Sequence, residues 1–441
     1  MNSRISFAAA IVLAVCSCSG AAKTAANPTP GYVPADCAHF SPVASAPAPF
    51  HIPTPSLAPN PTISTDVQLR VLDMLVEVID QDYLYADFQG VDWNSLARDY
   101  RQKVQAGMNT ETFYDGMEKL VTALADNHSQ FQSPAIVAAS NAELAGANNY
   151  VGIGVVVKPE PEHGDVSVLA VFPGSPAEHS GMKQHDNIIA VDGRPIVEKG
   201  VASPQLVRGL QCSVAILTIQ TPGKASHRIA VVRDKVTAPE PIVAQLVHTK
   251  DGSRIGYIFI PTFFDRQVPP QVDQALRTFG TLDGLILDDR MNPGGSSDVL
   301  GPVLSRFISG TLGHFVSRRS ERAFDLQARP LLNSTGVPLV VLVGKDTVSF
   351  GEIFAGILQD LGRAQVVGDT TLGNVETLHG IKLEDGSVVW IAEERFDPEV
   401  SHASWEGKGI VPNVKAVAEW DTFTFDTDPA VAAALKVLKH G

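Results

Sequence analysis

The apolar positions along this chain follow a different rule in each successive stretch. Behind Arg4 runs a short apolar segment, Ile5 to Val15, ended by the small residues Cys16-Ser-Cys-Ser-Gly20, which is the form of a secretory signal with its processing site and predicts a signal over residues 1–18. Residues 19–63 show no period. They are rich in Ala, Ser and Pro (Asn27-Pro-Thr-Pro, Ala46-Pro-Ala-Pro, Ile52-Pro-Thr-Pro), a composition that favours extended polyproline conformation and predicts a linker. Over 64–135 the apolar residues recur at helical spacing (Val67, Val71, Leu75, Val78, Ile79, then a second run from Phe113 to Leu124), predicting a helical bundle that closes on the polar loop Leu124-Ala-Asp-Asn-His-Ser-Gln-Phe131. Over 148–236 the pattern changes to short alternating runs between turn residues, an antiparallel β domain. Over 237–425 continuous apolar strands (Ile255 to Ile260, Gly284 to Asp288, Val337 to Val343) alternate with helical stretches (Gln271 to Phe279, Gly351 to Gly362), the mark of a layered α/β unit. The last stretch, 426–441, is Ala-rich and predicts a closing helix. The fold class expected is α+β and multidomain.

Length agrees, since single cores stop growing beyond about 250–300 residues and the chain has 441. The 44% hydrophobic and 19% charged content is that of folded globular protein. A formal charge of −14 argues against a nucleic-acid partner, which needs clustered Lys and Arg. After the first 20 positions no apolar run is long enough to span a bilayer as a helix.

The cysteines bear on location. Val15-Cys16-Ser17-Cys18 is similar to a bacterial lipobox, which would acylate Cys18 and tether the chain to a membrane. Leu13-Ala14-Val15-Cys16 matches less well, with Val15 in the small-residue slot, and simple secretion is the other reading. Either way the protein is expected to be secreted or periplasmic, or a membrane-anchored lipoprotein. Only Cys37 and Cys212 then remain, too few for a disulfide scaffold. The 12 histidines include no HExxH and no HxH, so no metal or other cofactor is expected.

Ser349 follows a buried strand and the polar turn Gly344-Lys-Asp-Thr-Val and opens a helix. That position exposes a nucleophile and puts helix N–H groups beside a developing oxyanion. The same residues, Ser349-Phe-Gly-Glu352, also read as a structural capping box.

Two resemblances narrow these readings. Gly174-Ser-Pro-Ala-Glu-His-Ser-Gly-Met182 with Asp186-Asn-Ile-Ile-Ala-Val-Asp-Gly-Arg-Pro195 resembles a PDZ domain. This implies capture of a peptide C-terminus by strand addition, with Val151, Gly152, Ile153 and Gly154 as the carboxylate loop and Ala202 to Leu210 as the groove helix. A PDZ fold used only as hinge or plug is the alternative. Ser349-Phe-Gly-Glu-Ile-Phe-Ala-Gly-Ile-Leu-Gln-Asp-Leu-Gly-Arg-Ala364, followed by Val367-Gly-Asp-Thr-Thr-Leu-Gly373, resembles the signature of the C-terminal processing (tail-specific) peptidases. That resemblance implies a ClpP/crotonase-like core, endopeptidase activity on extracytoplasmic proteins or peptides, and Ser349 as nucleophile. In Leu287-Asp-Asp-Arg-Met-Asn-Pro-Gly-Gly295 it implies that the N–H of Gly294 or Gly295 joins that of Phe350 in the oxyanion hole; Arg290 is read as bracing the glycine turn.

One departure redirects the chemistry. The tail-specific branch places a general-base lysine 25 residues after the serine, and that position here is Asn374. The chain is then either an inactive scaffold acting through the PDZ groove or a relative of the tricorn-like branch, which uses Ser, His and Glu. Asp126-Asn-His128-Ser resembles that branch's histidine loop, and Trp405-Glu406-Gly-Lys-Gly-Ile-Val-Pro412 its glutamate segment. His128 becomes the expected base and Glu406 its partner, with Ser129 or Asn127 in the place of the relay serine. His379 and His402 are other candidates for the base, and Glu352 and Asp360 read as supporting residues.

Overall fold

The structure, a computed structural model, describes residues 27–39, 58–126, 128–146 and 150–440. The expected signal, with Cys16 and Cys18, lies outside the described residues. No helix among the described residues is long and apolar enough to cross a membrane.

Part of the expected linker is docked. Residues Ala35–Cys37 form a short turn, and Cys37, 1% exposed, is disulfide-bonded to Cys212. Around the bridge pack Val214, Ile216, Ala230 and Val232 of the β domain, while the Tyr32 ring stacks on His179 with centroids 3.9 Å apart. The expectation of a spacer over all of 19–63 is corrected for these residues. Composition missed the docking because a cross-link between cysteines 175 residues apart overrides the local preference.

Three helices, Thr65–Asp82, Trp93–Gln105 and Thr110–Thr122, begin at Ser64, Asp92 and Asn109. Each of these side chains accepts the N–H three residues on, satisfying donors that a helix start leaves open. Their apolar stripes (Leu75, Ile79, Val104, Phe113, Met117) meet in one core, but that core also contains Leu383, Val389 and Ile391 of a distant hairpin, Thr377–Lys382 with Val388–Pro398. The helices therefore do not bury their stripes among themselves alone.

The β domain is an antiparallel sheet in the order His227–Val232, Val214–Gln220, Asn187–Val191, Asp165–Val171, Val155–Glu160, with the short helix Pro176–His179 against it. The groove helix expected over 202–210 is a single 3-10 turn, Pro204–Val207. The interval between Pro204 and Gly209 is too short to repay helix nucleation.

The largest core lies on a six-stranded sheet, ordered Val243–His248, Arg254–Phe259, Gly284–Asp288, Leu339–Val343, Gln365–Gly368, Val414–Lys415. All its neighbours are parallel except the first pair. The helices Val268–Phe279, Ser297–Leu304 and Phe350–Asp360 cover one face; Trp420, Phe423 and the closing helix Pro429–His440 cover the other. Burial on both faces is why these strands read as unbroken apolar runs. A second sheet, Gln130–Gln132, Val388–Pro398, Gly310–Val316, Glu321–Leu326, brings the end of the histidine loop against the α/β unit.

Candidate active site

Ser349 ends the turn from strand Leu339–Val343 into helix Phe350–Asp360, with φ 55° and ψ −121°. A side chain in so sparsely populated a region costs about 1–3 kcal/mol and persists only where the surroundings over-determine it. Hydrogen bonds do so here. The Ser349 N–H donates to the Asn374 carbonyl (2.9 Å) and to Glu352 Oε2 (3.2 Å), and the Val348 N–H to the Asn292 carbonyl (2.9 Å). Glu352 is fully buried and also accepts from Thr371 Oγ1 (2.5 Å), the Gly373 N–H (2.6 Å) and the Asn374 N–H (2.8 Å). The glutamate of the expected capping box thus ties the serine turn to the loop 371–374. Asn374 contributes its backbone to that tie, while its side-chain oxygen is buried without a partner among the described residues.

The glycine turn abuts the serine. A Cβ on Gly294 (φ 100°) would lie 2.8 Å from Ser349 Cβ and 3.1 Å from the Phe350 nitrogen, so only glycine permits the approach. The Gly294 N–H is committed to Asn292 Oδ1 (3.0 Å). Gly295, whose missing Cβ leaves room for the Phe263 backbone, has its N–H free among the described residues, as has Phe350 at the first position of its helix. Of the two expected glycine donors, Gly295 is the one available. Asn292, which also donates to Asp289 Oδ1 (2.8 Å), braces this turn. Arg290 does not. It reaches the other way, clasping Asp288 (Nε to Oδ1, 2.9 Å) and Asp428 (2.6 Å), and its guanidinium lies 5.2 Å from the Trp420 and Phe423 ring centroids.

Against residues 375 and 376 the structure gathers His128, Glu406 and a residue that sequence reading missed, Glu376. His128 Nε2 lies 3.8 Å from Glu406 Oε2 and 4.0 Å from Glu376 Oε2. The histidine loop is shaped by Asp126, whose carboxylate accepts the N–H of His128 (2.9 Å) and of Ser129 (2.7 Å) and the Ser129 hydroxyl (2.6 Å). Ser129 Oγ accepts the Ala392 N–H (3.1 Å), so it anchors the loop to the second sheet and links to neither glutamate. Glu406 Oε2 accepts the Val375 N–H (2.8 Å), and Glu376 Oε1 accepts the Tyr85 hydroxyl.

Burial dominates the protonation of this group. It holds His128 below the usual imidazole value, opposed by the charge of Asp126. It raises Glu406 against the hydrogen bonds of the Val375 and Glu376 amides, and pushes Glu376 up to about 7 despite the Tyr85 hydrogen bond. No hydrogen bond joins Ser349 to His128 among the described residues; the two are linked through the segment Asn374 to Glu376. Glu376 left no sequence signal because its partners come from three distant segments.

The other candidates lie elsewhere. His379 pairs with Glu393 (3.1 Å) and Glu394 (3.5 Å), and His402 with Asp397 (3.3 Å). Asp360 accepts the N–H groups of Val400 and Ser401, holding that turn rather than the site. In the β domain, Tyr150–Gly152 pairs with Asp234–Val236; the Val151 carbonyl accepts the Gly209 N–H (3.2 Å), and the Ile153 carbonyl that of Ala177 (2.8 Å). Gly154 adopts φ 85° and its carbonyl accepts from Phe172 N–H and Ser175 Oγ.

The profile of Peptidase family S41 matches residues 254–416, and that of the Tricorn protease C1 domain residues 70–122. A carboxyl-terminal-processing protease of Synechocystis sp. is 27% identical over 375 residues, covering 82% of this chain and 85% of that protein. Carboxy-terminal processing protease CtpB of Bacillus subtilis is 27% identical over 335 residues, covering 75% and 67%. The solved photosystem II D1 C-terminal processing protease superposes with a TM-score of 0.55 at 25% identity, over 83% of this chain and 96% of that one. The signature around Ser349, the S41 match across the sheet that carries it and these relatives agree: the chain is a serine-type peptidase with a Peptidase family S41 domain over residues 254–416, and it is similar to the carboxyl-terminal-processing proteases.

Proposed function

We propose that the chain is an extracytoplasmic endopeptidase in which Ser349 attacks the peptide carbonyl, His128 takes the serine proton and returns it to the leaving amine, and Glu406 stabilises the imidazolium. The observation that carries this reading is Ser349 held at a strained helix start, against Gly294, with the free amides of Gly295 and Phe350 beside it. Two such donors aimed at the developing oxyanion are worth about 10²–10³ each in rate. Asn374 cannot act as a base, whereas His128 lies between two carboxylates able to offset the charge it would gain. Glu376 shares that second task.

A PDZ role for residues 148–236 is supported by the antiparallel sheet and by the glycine-containing loop Val151 to Gly154; the module would take substrate C-termini or gate the peptidase. An extracytoplasmic setting is supported by the Cys37–Cys212 disulfide, which persists in oxidising compartments. Membrane tethering through Cys18 belongs to the same reading.

Labelling with a fluorophosphonate probe tests the chemistry. Ser349→Ala abolishes the label, and His128→Ala slows both labelling and casein cleavage by roughly the 10²–10⁴ expected of a lost general base. An unlabelled wild-type chain that still binds peptides would return the reading to a scaffold.

A further inference from the structure

We propose that His128, Glu376 and Glu406 form a binding site for a divalent transition-metal ion of the zinc class, and that the bound ion holds the peptidase inactive. One imidazole nitrogen and two carboxylate oxygens, from three separate segments, lie within 4.8 Å of one another. Two of these three atoms, His128 Nε2 and Glu376 Oε2, are buried and have no hydrogen-bond partner among the described residues. His128 is 9% exposed and Glu376 2%, so solvent does not supply the missing partner. Leaving a buried polar atom unpaired costs about 1–3 kcal/mol. A single cation at the centre would satisfy both.

The donor set selects the ion. One imidazole with two carboxylates suits zinc and its neighbours, whereas calcium and magnesium favour all-oxygen shells. Tetrahedral zinc with bonds of about 2.0–2.1 Å keeps its ligands roughly 3.3 Å apart, so the gaps of 3.8 and 4.0 Å close by about half an ångström or a little more. Outer contacts already orient the ligands: the Tyr85 hydroxyl holds the second oxygen of Glu376, and the Val375 N–H holds Glu406. The Glu406 side chain is 27% exposed, which leaves a solvent side for a fourth ligand and a route of entry.

Inhibition follows from the lone pair. A ring nitrogen bound to metal cannot accept the proton of Ser349. This half of the proposal rests on the reading of His128 as base; the binding half does not.

The experiment uses the full chain, stripped with EDTA and desalted, and titrated with Co²⁺ as a visible probe, then with Zn²⁺. One Co²⁺ per chain is expected, with the intense absorption of a low-coordinate site, displaced by equimolar Zn²⁺. Glu376→Gln and His128→Ala each weaken the affinity at least about tenfold, and thermal unfolding without metal verifies that both variants are folded. Fluorophosphonate labelling falls as Zn²⁺ binds and returns with EDTA. Absence of binding, or equal affinity in both variants, overturns the site. Labelling untouched by a bound ion overturns the inhibition. A metal-free chain that takes no label contradicts the reading of Ser349 instead, and the cobalt titration still decides the site.

Discussion

Gly294→Ala separates catalytic geometry from folding. The added methyl would sit 2.8 Å from Ser349 Cβ and 3.1 Å from both the Phe350 nitrogen and the Val348 carbonyl oxygen. Ordinary contact begins at 3.4 Å, so the serine turn has to retreat by about 0.6 Å. The backbone at φ 100° adds about 1–2 kcal/mol for a residue that now carries a Cβ. Stability should therefore fall modestly, by about 2–8 °C in Tm for a unit of this size. Activity should fall far more, because misplacing a reacting group by about 1 Å costs roughly 10²-fold and the Phe350 amide, the proposed oxyanion donor, moves with it. The assay is the second-order rate of fluorophosphonate labelling, with urea unfolding on the same preparations. Gly295→Ala is the contrast: its methyl meets the Phe263 backbone and breaks the bridge that joins Phe263 to Gly295, so that variant is expected to lose the fold of the turn outright. A folded Gly294→Ala chain labelled at the wild-type rate would refute the apposition of the glycine turn and the proposed nucleophile Ser349.

Three further outcomes follow from the same structure. Glu352→Gln puts an amide where a buried carboxylate accepts four hydrogen bonds; a loss of about 3 kcal/mol in urea unfolding is expected, with faster amide exchange over residues 371–374, and unchanged exchange there would contradict Glu352 as the tie. His185, packed against Trp420 and Phe423, is pushed down to about 4 by burial first, with Arg290 adding to it and the Trp420 carbonyl opposing. Its contribution to stability is complete above the unfolded value near 6.5 and is lost as pH falls toward 4, about 3 kcal/mol in all. His185→Asn, which tolerates φ 70° and does not titrate, should flatten the urea midpoint against pH over that window; parallel slopes for variant and wild type would argue against it. Cys212→Ser should release residues 27–39 to limited proteolysis while leaving labelling of Ser349 intact, and continued protection of that segment would mean that packing alone holds it.

Where neighbours in sequence are neighbours in space, the reading from residues succeeded. The helical runs over Val67 to Ile79 and from Phe113, the unbroken apolar strands around Gly284–Asp288 and Leu339–Val343, and the turn that opens a helix at Ser349 each follow from local period and side-chain type. It failed where the deciding partner was remote. Residues 27–39 read as linker until Cys212 claims Cys37. Arg290 reads from its neighbours as a brace for the adjacent glycine turn, but Asp428, 138 residues on, takes it instead. Ser129 stood beside the histidine like a relay residue, yet Asp126 and the Ala392 N–H occupy its hydroxyl.

What the amino-acid sequence determined by itself is the inventory of this site and its likeness to the carboxyl-terminal-processing proteases: a serine at a helix start, a glycine turn, and an asparagine where a lysine would stand. Those are properties of short segments, and short segments carry their own turn chemistry. The tertiary structure alone decided how the pieces meet. It spends the Gly294 amide on Asn292 and leaves that of Gly295 free, turns Glu352 from a cap into the tie between two loops, and adds Glu376 to His128 and Glu406. The reason is physical. Hydrogen-bond saturation and burial depend on every group that packs within a few ångströms, and for a loop at residue 128 those groups come from residues 85, 376 and 406.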